Sequence, residues 1–101
     1  MRIITIGTLR DYWLAHPETF KPLTAWVAEV SAAQWQTPAD VKAQFRNASI
    51  LPGRRVVFNI KGNDHRLVVA VAYAFGAVYI KFVGTHAEYD TINAQSVEDK
   101  S

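Results

Sequence analysis

Residues 55–83, RVVFNIKGNDHRLVVAVAYAFGAVYIKFV, decide the fold. They contain three apolar runs rich in β-branched and aromatic residues, which are RVVFNI, RLVVAVAY and AVYIKFV. Only the short stretches KGNDH and AFG separate these runs. Apolar runs of this length, joined by short glycine-containing stretches, are typical of antiparallel strands connected by hairpins. The stretch therefore predicts a three-strand antiparallel meander.

The meander also predicts which side chains meet at one end of the sheet. Successive turns of a meander lie at opposite ends, so the start of its second strand lies beside the end of its third. Arg66 is therefore expected next to residues 84–86, with Lys61 across the first turn and His86 close by. Lys81 lies a few residues deeper, and its face depends on the hairpin register, because a slip of one residue reverses every side chain.

The chain before the meander predicts one strand and three helices. RIITIG at residues 2–7 is β-prone, and TLRDYWLAH at 8–16 predicts a short helix with Thr8 as a possible N-cap. An apolar face at spacings of three and four predicts a second helix, formed by Phe20, Leu23, Val27 and Val30. Thr37 followed by Pro38 is typical of the start of a third helix.

The remaining segments complete an α+β prediction. RNASILPGRR at residues 46–55 is predicted as an irregular polar connection, and GTHAEYDTI at 84–92 as a helical turn. Helices followed by strands favour a two-layer architecture, with N-terminal helices packed on an antiparallel sheet that contains the C-terminal meander. We expect a single domain over residues 1–95 and a frayed polar tail over 96–101.

Composition restricts the possible function classes. The 101 residues include no cysteine, which excludes disulfides, a thiolate nucleophile and a cysteine-based zinc site. No signal peptide and no run approaching the roughly 20 apolar residues of a membrane span is evident. These features predict a soluble, cytoplasmic protein.

Charge is unevenly distributed along the chain. Residues 42–81 carry seven basic side chains and one acidic one, a net charge of +6, whereas residues 1–41 carry −1 and residues 82–101 carry −3. A basic middle segment favours a phosphate-bearing partner. An ordinary uneven surface charge remains the alternative.

The cluster expected at the sheet end suits phosphate chemistry. The guanidinium of Arg66 offers a planar fork of donors that can hold a phosphate, Lys61 adds a point charge and His86 can exchange a proton near neutral pH. Taken singly, each of these side chains is more simply a solvated or structural residue, and Gly62 and Asn63 are most simply turn residues. A metal site is not indicated, because His65 and His86 have no evident third ligand.

RVVFNIKGNDHRLVVAV followed by VYIKFVGTHAEYDTI resembles the HigB family of bacterial toxins, within the RelE-like superfamily of type II toxin–antitoxin systems. The upstream HPETFKPLTAWVAEVSAAQWQTPADVKAQF is similar to the helical half of that family, so the resemblance covers about residues 8–94. It implies an mRNA endoribonuclease that acts on the ribosome, arrests growth and cleaves RNA by 2′-hydroxyl attack without a metal. It also implies neutralisation by a HigA-like helix-turn-helix antitoxin, whose complex with the toxin binds operator DNA.

The resemblance places the site on the basic positions and on GTHAEYD. The resulting catalytic candidates are Arg66, Lys81, His86 and Tyr89. The candidates for binding RNA phosphates are Lys61, Arg66, Arg55 and His65, with no metal and no cofactor. One departure concerns His65, because the family commonly has an aromatic residue before this arginine. The alternative function is a non-catalytic RNA-binding or gyrase-inhibiting module on the same fold.

Overall fold

A mixed five-stranded sheet forms one layer of the structure, and helices cover one of its faces. The structure is a computed structural model that describes residues 1–99. The elements in chain order are β1 (Arg2–Ile4), α1 (Ile6–Ala15), a 3₁₀ turn (Pro17–Thr19), α2 (Phe20–Ala32), α3 (Pro38–Gln44), β2 (Ser49–Leu51), β3 (Arg55–Ile60), β4 (His65–Ala72), a second 3₁₀ turn (Tyr73–Phe75), β5 (Ala77–Thr85) and α4 (His86–Tyr89). The α+β two-layer prediction is confirmed.

The predicted meander is present as β3, β4 and β5. Strand order in the sheet is β1-β5-β4-β3-β2, with β4 central and antiparallel to both neighbours. Arg66 pairs with Asn59 in β3 and with Gly84 in β5, and its position beside Gly84 was predicted from the order of the turns. The sheet, which was expected to be antiparallel, is mixed, because β1 pairs with β5 in parallel.

The strand β2 falls in the segment that was predicted to be irregular. Its three residues pair antiparallel with β3, from Ser49 opposite Val57 to Leu51 opposite Arg55. Pro52 follows directly, and the connection to β3 uses left-handed backbone at Gly53, with φ of 75°, and at Arg54, with φ of 60°. A strand this short and followed by a proline lacks the alternation by which strands are identified from sequence.

The ends of the helices show which capping predictions hold. Thr37 and Asp40 form a capping box at α3, so this predicted start is confirmed. The predicted cap at Thr8 is wrong, because α1 begins two residues earlier, after an N-cap at Thr5. In α2, Phe20 is half exposed, and Trp26 joins Leu23 and Val30 on the buried face instead. In the described part of the chain no helix is long and apolar enough to cross a membrane.

The core lies between the helices and one face of the sheet, with Phe58 at its aromatic centre. The ring of Phe58 lies 5.0 Å from that of Phe45, 5.4 Å from that of Trp26 and 6.4 Å from that of Trp35, measured between centroids. Fully buried aliphatic side chains surround this group, among them Leu9, Leu23, Val30, Val41, Leu67, Val69, Val78 and Ile80. Aromatic burial of this kind contributes a large share of the stability of a small domain.

Replacing Phe58 with alanine should lower the free energy of unfolding by about 3–5 kcal/mol, because it leaves a cavity among three other aromatic rings. Phe75→Ala is the matched control, since the side chain of Phe75 is 82% exposed, and its effect should be close to zero. Urea unfolding followed by tryptophan fluorescence measures both. Equal losses in the two variants would contradict this description of the core.

Candidate functional site

The sheet face away from the helices carries three of the seven predicted site residues, which are Arg55, Arg66 and Lys81. Three rows of paired residues define this outer face, which are Arg55–Ala70–Tyr79, Val57–Val68–Phe82 and Asn59–Arg66–Gly84. None of these residues belongs to the core between helices and sheet. Side chains alternate along a strand, so the burial of Leu67, Val69 and Val71 in the core directs Arg66 to the outer face.

A bulge in β5 shapes this face. Val68 pairs with Phe82 and Val69 pairs with Ile80, so Lys81 is the extra residue between them. Such an extra residue changes which side chains of the strand face outward. The Lys81 ammonium lies 5.8 Å from the centroid of the Tyr79 ring, which places Lys81 on the outer face as well.

Arg66 is held by the turn that precedes it. Its Nη2 donates to Asn63 Oδ1 at 2.7 Å and its Nη1 donates to the Asn63 carbonyl at 3.0 Å. The guanidinium carbon lies 5.7 Å from the centroid of the Tyr89 ring. Asn63 therefore orients Arg66 against Tyr89, a role that goes beyond the turn geometry expected for it. The spacing of three residues between Asn63 and Arg66 across the turn could have indicated this contact from the sequence.

The short helix α4 brings His86 and Tyr89 to the same end. Thr85 and Glu88 form a capping box, with the Thr85 amide donating to Glu88 Oε1 at 2.8 Å. The His86 amide donates to the Asp64 carbonyl at 2.9 Å, which ties α4 to the first turn of the meander. The predicted convergence of residues around Arg66 and His86 is therefore present in the backbone.

The His86 ring has a carboxylate neighbour. His86 Nδ1 lies 3.3 Å from Asp90 Oδ2, and His86 is exposed. A proton on Nδ1 that faces Asp90 leaves Nε2 available as the acid or base, which is how a carboxylate commonly orients a catalytic histidine. At the first turn, Lys61 is also exposed and lies 3.5 Å from Asp64 Oδ2.

Gly84 allows Phe82 to lie across the backbone beside this cluster. A Cβ at position 84 would come within 2.6 Å of Phe82 Cζ and 3.1 Å of Glu88 Oε1. The Phe82 ring in turn lies 6.5 Å from the Tyr89 ring. The absence of a side chain at Gly84 therefore supports the packing behind Tyr89 and Arg66.

Arg55 and Lys81 form a second basic group on the outer face. Arg55 pairs with Ala70, four residues along β4 from Arg66, which corresponds to about 13 Å at the rise of a strand. Glu98 Oε1 lies 3.0 Å from Arg55 Nη2, and Glu98 Oε2 lies 2.7 Å from Lys81 Nζ. The hydrogen bond from Lys81 lowers the pKa of Glu98, assisted by the positive charges of Lys81 and Arg55.

The tail that was expected to fray thus contacts the sheet. Arg55 Nη1 also donates to the Val97 carbonyl at 2.5 Å, and Thr8 Oγ1 donates to Asp99 Oδ2 at 2.7 Å. The expectation for residues 100–101 lies outside the described residues. No acidic side chain in this tail was predicted to contact the site.

His65 lies on the other side of the sheet. Its side chain is buried on the helix side, where Nδ1 lies 2.6 Å from the Tyr12 hydroxyl and Nε2 lies 3.4 Å from Glu18 Oε2. Both ring nitrogens of His65 thus have polar partners on the helix side. The structure does not bring His65 to the surface that carries Arg66. The sequence could have indicated the burial of His65, because alternation along β4 places it on the same face as the buried Leu67 and Val69.

The structure thus brings Arg66, Tyr89 and His86 to one end of the sheet, with Lys61 at the adjacent turn. Arg55 and Lys81 lie together further along the same face. Across residues 1–99 no group of three or more His, Asp or Glu side chains is arranged to hold a metal ion. A basic outer face can bind a phosphodiester, and a histidine beside it can exchange a proton with a reacting oxygen.

Comparisons with known proteins agree on one family. A family model described as HigB_toxin, the RelE-like toxic component of a toxin–antitoxin system, matches residues 19–92. The chain is 30% identical over 96 residues to the mRNA interferase toxin HigB of Escherichia coli (strain K12), an alignment that covers 93% of this chain and 92% of the relative. The same figures hold for the mRNA interferase HigB of Escherichia coli O157:H7 and of Shigella flexneri.

Gly84→Ala should lower the free energy of unfolding by about 1–3 kcal/mol, because the added methyl group overlaps the Phe82 ring. Gly7→Ala is the control, since the nearest side-chain atom to a Cβ there is Arg10 Nη2 at 3.5 Å and alanine favours a helix. Thermal unfolding measures both variants. Phe82→Leu should restore much of the loss in the double variant, and no loss in Gly84→Ala would contradict this packing.

Tyr12 should ionise at unusually high pH. Burial raises its pKa from 10.0 to about 12, and the negative charges of Glu88 and Glu18 act in the same direction. The folded state favours the neutral phenol of Tyr12. The contribution of this preference to the free energy of unfolding is fully present below pH 10.0 and is lost as the pH rises to about 12. The difference in tyrosinate absorbance between wild type and Tyr12→Phe isolates this group. A difference titration near the ordinary value would contradict the expectation.

Proposed function

The chain belongs to the HigB family of RelE-like toxins, and from this premise we propose that it is an mRNA endoribonuclease, the toxin of a type II toxin–antitoxin pair. The observation that carries the proposal is the contact of Arg66 with Tyr89 beside His86. A planar cation, an aromatic ring and a titratable imidazole at one sheet end form a suitable site for the backbone and base of an RNA strand.

The reaction that we assign to this site needs no group beyond the RNA and the side chains. The 2′-hydroxyl oxygen attacks the adjacent phosphorus, its proton is removed, and the bond to the 5′-oxygen breaks as that oxygen gains a proton. The products are a 2′,3′-cyclic phosphate and a 5′-hydroxyl. Arg66 donates two parallel hydrogen bonds to the phosphoryl oxygens and stabilises the negative charge that grows on them.

The other residues have distinct roles in this proposal. His86 exchanges a proton with a reacting oxygen through Nε2, since Nδ1 faces Asp90. One face of the Tyr89 ring contacts the guanidinium of Arg66, and the other face stacks on a base of the RNA. Lys61, exposed at the first turn, adds attraction for a neighbouring phosphate. Asn63 is a positioning residue that orients Arg66.

The partners follow from the family. A toxin of this kind requires an antitoxin, which we propose to be a HigA-like helix-turn-helix protein that also recruits the complex to operator DNA. We further propose that the mRNA is cleaved on the ribosome, in the cytoplasm. The chain's basic middle segment, with a net charge of +6, suits a surface rich in RNA phosphates.

Arg66→Ala should reduce RNA cleavage by about 100- to 1,000-fold, because it removes a preorganised donor that stabilises transition-state charge. Arg66→Lys should recover little, since an ammonium cannot donate the two parallel bonds of a guanidinium. Arg10→Ala controls for the lost charge, because Arg10 is exposed on α1 in the helical layer. New RNA 5′ ends, mapped after induction and on mRNA-programmed ribosomes, give the cleavage rate.

Two outcomes would contradict the proposal in different ways. Wild-type cleavage by Arg66→Ala and by His86→Ala would show that the reaction occurs elsewhere on the chain. Growth arrest by the wild type without new RNA ends would favour the non-catalytic RNA-binding or gyrase-inhibiting module.

A further inference from the structure

The carboxylate of Glu98 is held between two basic side chains of the outer face. One of its oxygens lies 3.0 Å from Arg55 Nη2 and the other lies 2.7 Å from Lys81 Nζ. Glu98 belongs to the C-terminal segment, residues 92–99, which is separated from α4 by two residues. One anionic group thus bridges β3 and β5 with a separate cation on each oxygen.

Arg55 depends on this segment for its partners. Its side chain is only 9% exposed. The residues paired with Arg55 in the two neighbouring strands are the apolar Ala70 and Leu51. Within residues 1–99, all hydrogen bonds of its guanidinium go to the C-terminal segment, namely to the carbonyls of Ala94 and Val97 and to Glu98. A nearly buried cation requires an anionic or carbonyl partner.

The remainder of the basic segment cannot supply that partner. Between residues 42 and 81 the one acidic side chain is Asp64, which lies at the tip of the first turn beside Lys61. Arg55 and Lys81, which bind the same carboxylate, therefore form a site for an anion from outside the meander. In the structure a carboxylate of the same chain fills it.

We propose that Arg55 and Lys81 form a second subsite for a backbone phosphate of RNA, and that the C-terminal segment occupies this subsite through Glu98 and competes with RNA. The inference rests on the proposed function, because it takes RNA as the ligand. A guanidinium and an ammonium on two separate oxygens suit a phosphodiester as well as a carboxylate. The subsite lies on the same face as Arg66, about 13 Å along β4, within reach of another phosphate of the same bound strand.

The packing of the segment is compatible with its release. A cavity of about 260 Å³ remains between the segment and β5, and its lining includes Phe82, Val83, Ile92 and Val97. Glu98 itself is largely exposed, with 64% of its side chain accessible. A tethered carboxylate competes at a high effective concentration, but an RNA strand presents several phosphates at once.

Glu98→Gln tests the competition, because it removes the charge and keeps the shape of the side chain. The probe is a short RNA with every 2′-hydroxyl methylated, which binds without being cleaved, and fluorescence anisotropy measures its Kd. We expect the affinity to rise about 5- to 10-fold. The slope of log K against log salt should steepen by about 0.7, the contribution of one further phosphate of a single strand.

Three further variants make the result specific. Glu29→Gln carries the same change of net charge on an exposed side chain of α2 and should leave the Kd unchanged within twofold. Deleting residues 96–101 should tighten binding at least as much as Glu98→Gln does. Lys81→Ala should weaken binding by about tenfold and should remove the effect of Glu98→Gln when the two are combined.

The outcomes separate this inference from the proposed function. If Glu98→Gln and the deletion bind RNA with the wild-type Kd while the wild type cleaves mRNA, the subsite is overturned and the endoribonuclease stands. If these variants tighten binding through Lys81 while no cleavage occurs, the subsite stands and the catalytic proposal fails. A gain in Glu98→Gln that Lys81→Ala leaves intact would also overturn the inference.

Discussion

The pairing register of β4 is the constraint on which the rest of the structure depends. Its odd-numbered residues from His65 to Val71 face the helices, and Leu67, Val69 and Val71 are part of the core. The even-numbered Arg66 is therefore directed outward, between Asn59 and Gly84. A slip of one residue would bury Arg66 and expose Leu67, so the hydrophobic core and the candidate site specify the same register.

The bulge at Lys81 brings Phe82 and Gly84 to the face that carries the two basic groups. Without the extra residue, Phe82 would point to the core and Val83 outward, by simple alternation from the buried Ile80. With it, Val83 packs against the core, whereas Phe82 and Gly84 lie in the outer-face rows that also contain Val68 and Arg66. Lys81 and Phe82 thus both reach the outer face, and the bare backbone of Gly84 accommodates the Phe82 ring next to Tyr89.

The features that were predicted correctly depend on local sequence patterns, and most of those that were missed depend on contacts between distant segments. The β-branched runs specify the meander, and Thr37 with Pro38 specifies the start of α3, because each signal lies within a few residues. The parallel pairing of β1 with β5 joins segments more than 70 residues apart, and no local pattern encodes it. The bulge at Lys81 and the contact of Glu98 with Arg55 belong to the same class. The burial of His65 differs, since alternation along β4 already indicated it.

The segregation of charge along the chain acquires a physical meaning in the folded protein. The basic segment contains most of β2 to β5, and the C-terminal segment, which carries the acidic Glu98 and Asp99, returns to the outer face of that sheet at Arg55. The C-terminal segment both contacts the nearly buried Arg55 and supplies its counter-charge. In the proposed competition, the exposed carboxylate of Glu98 is the counter-charge of Arg55 while RNA is absent. Because this carboxylate is exposed, its ion pairs are weak and RNA can displace it. The stability of the free protein and its affinity for RNA are therefore opposed at one residue, Glu98.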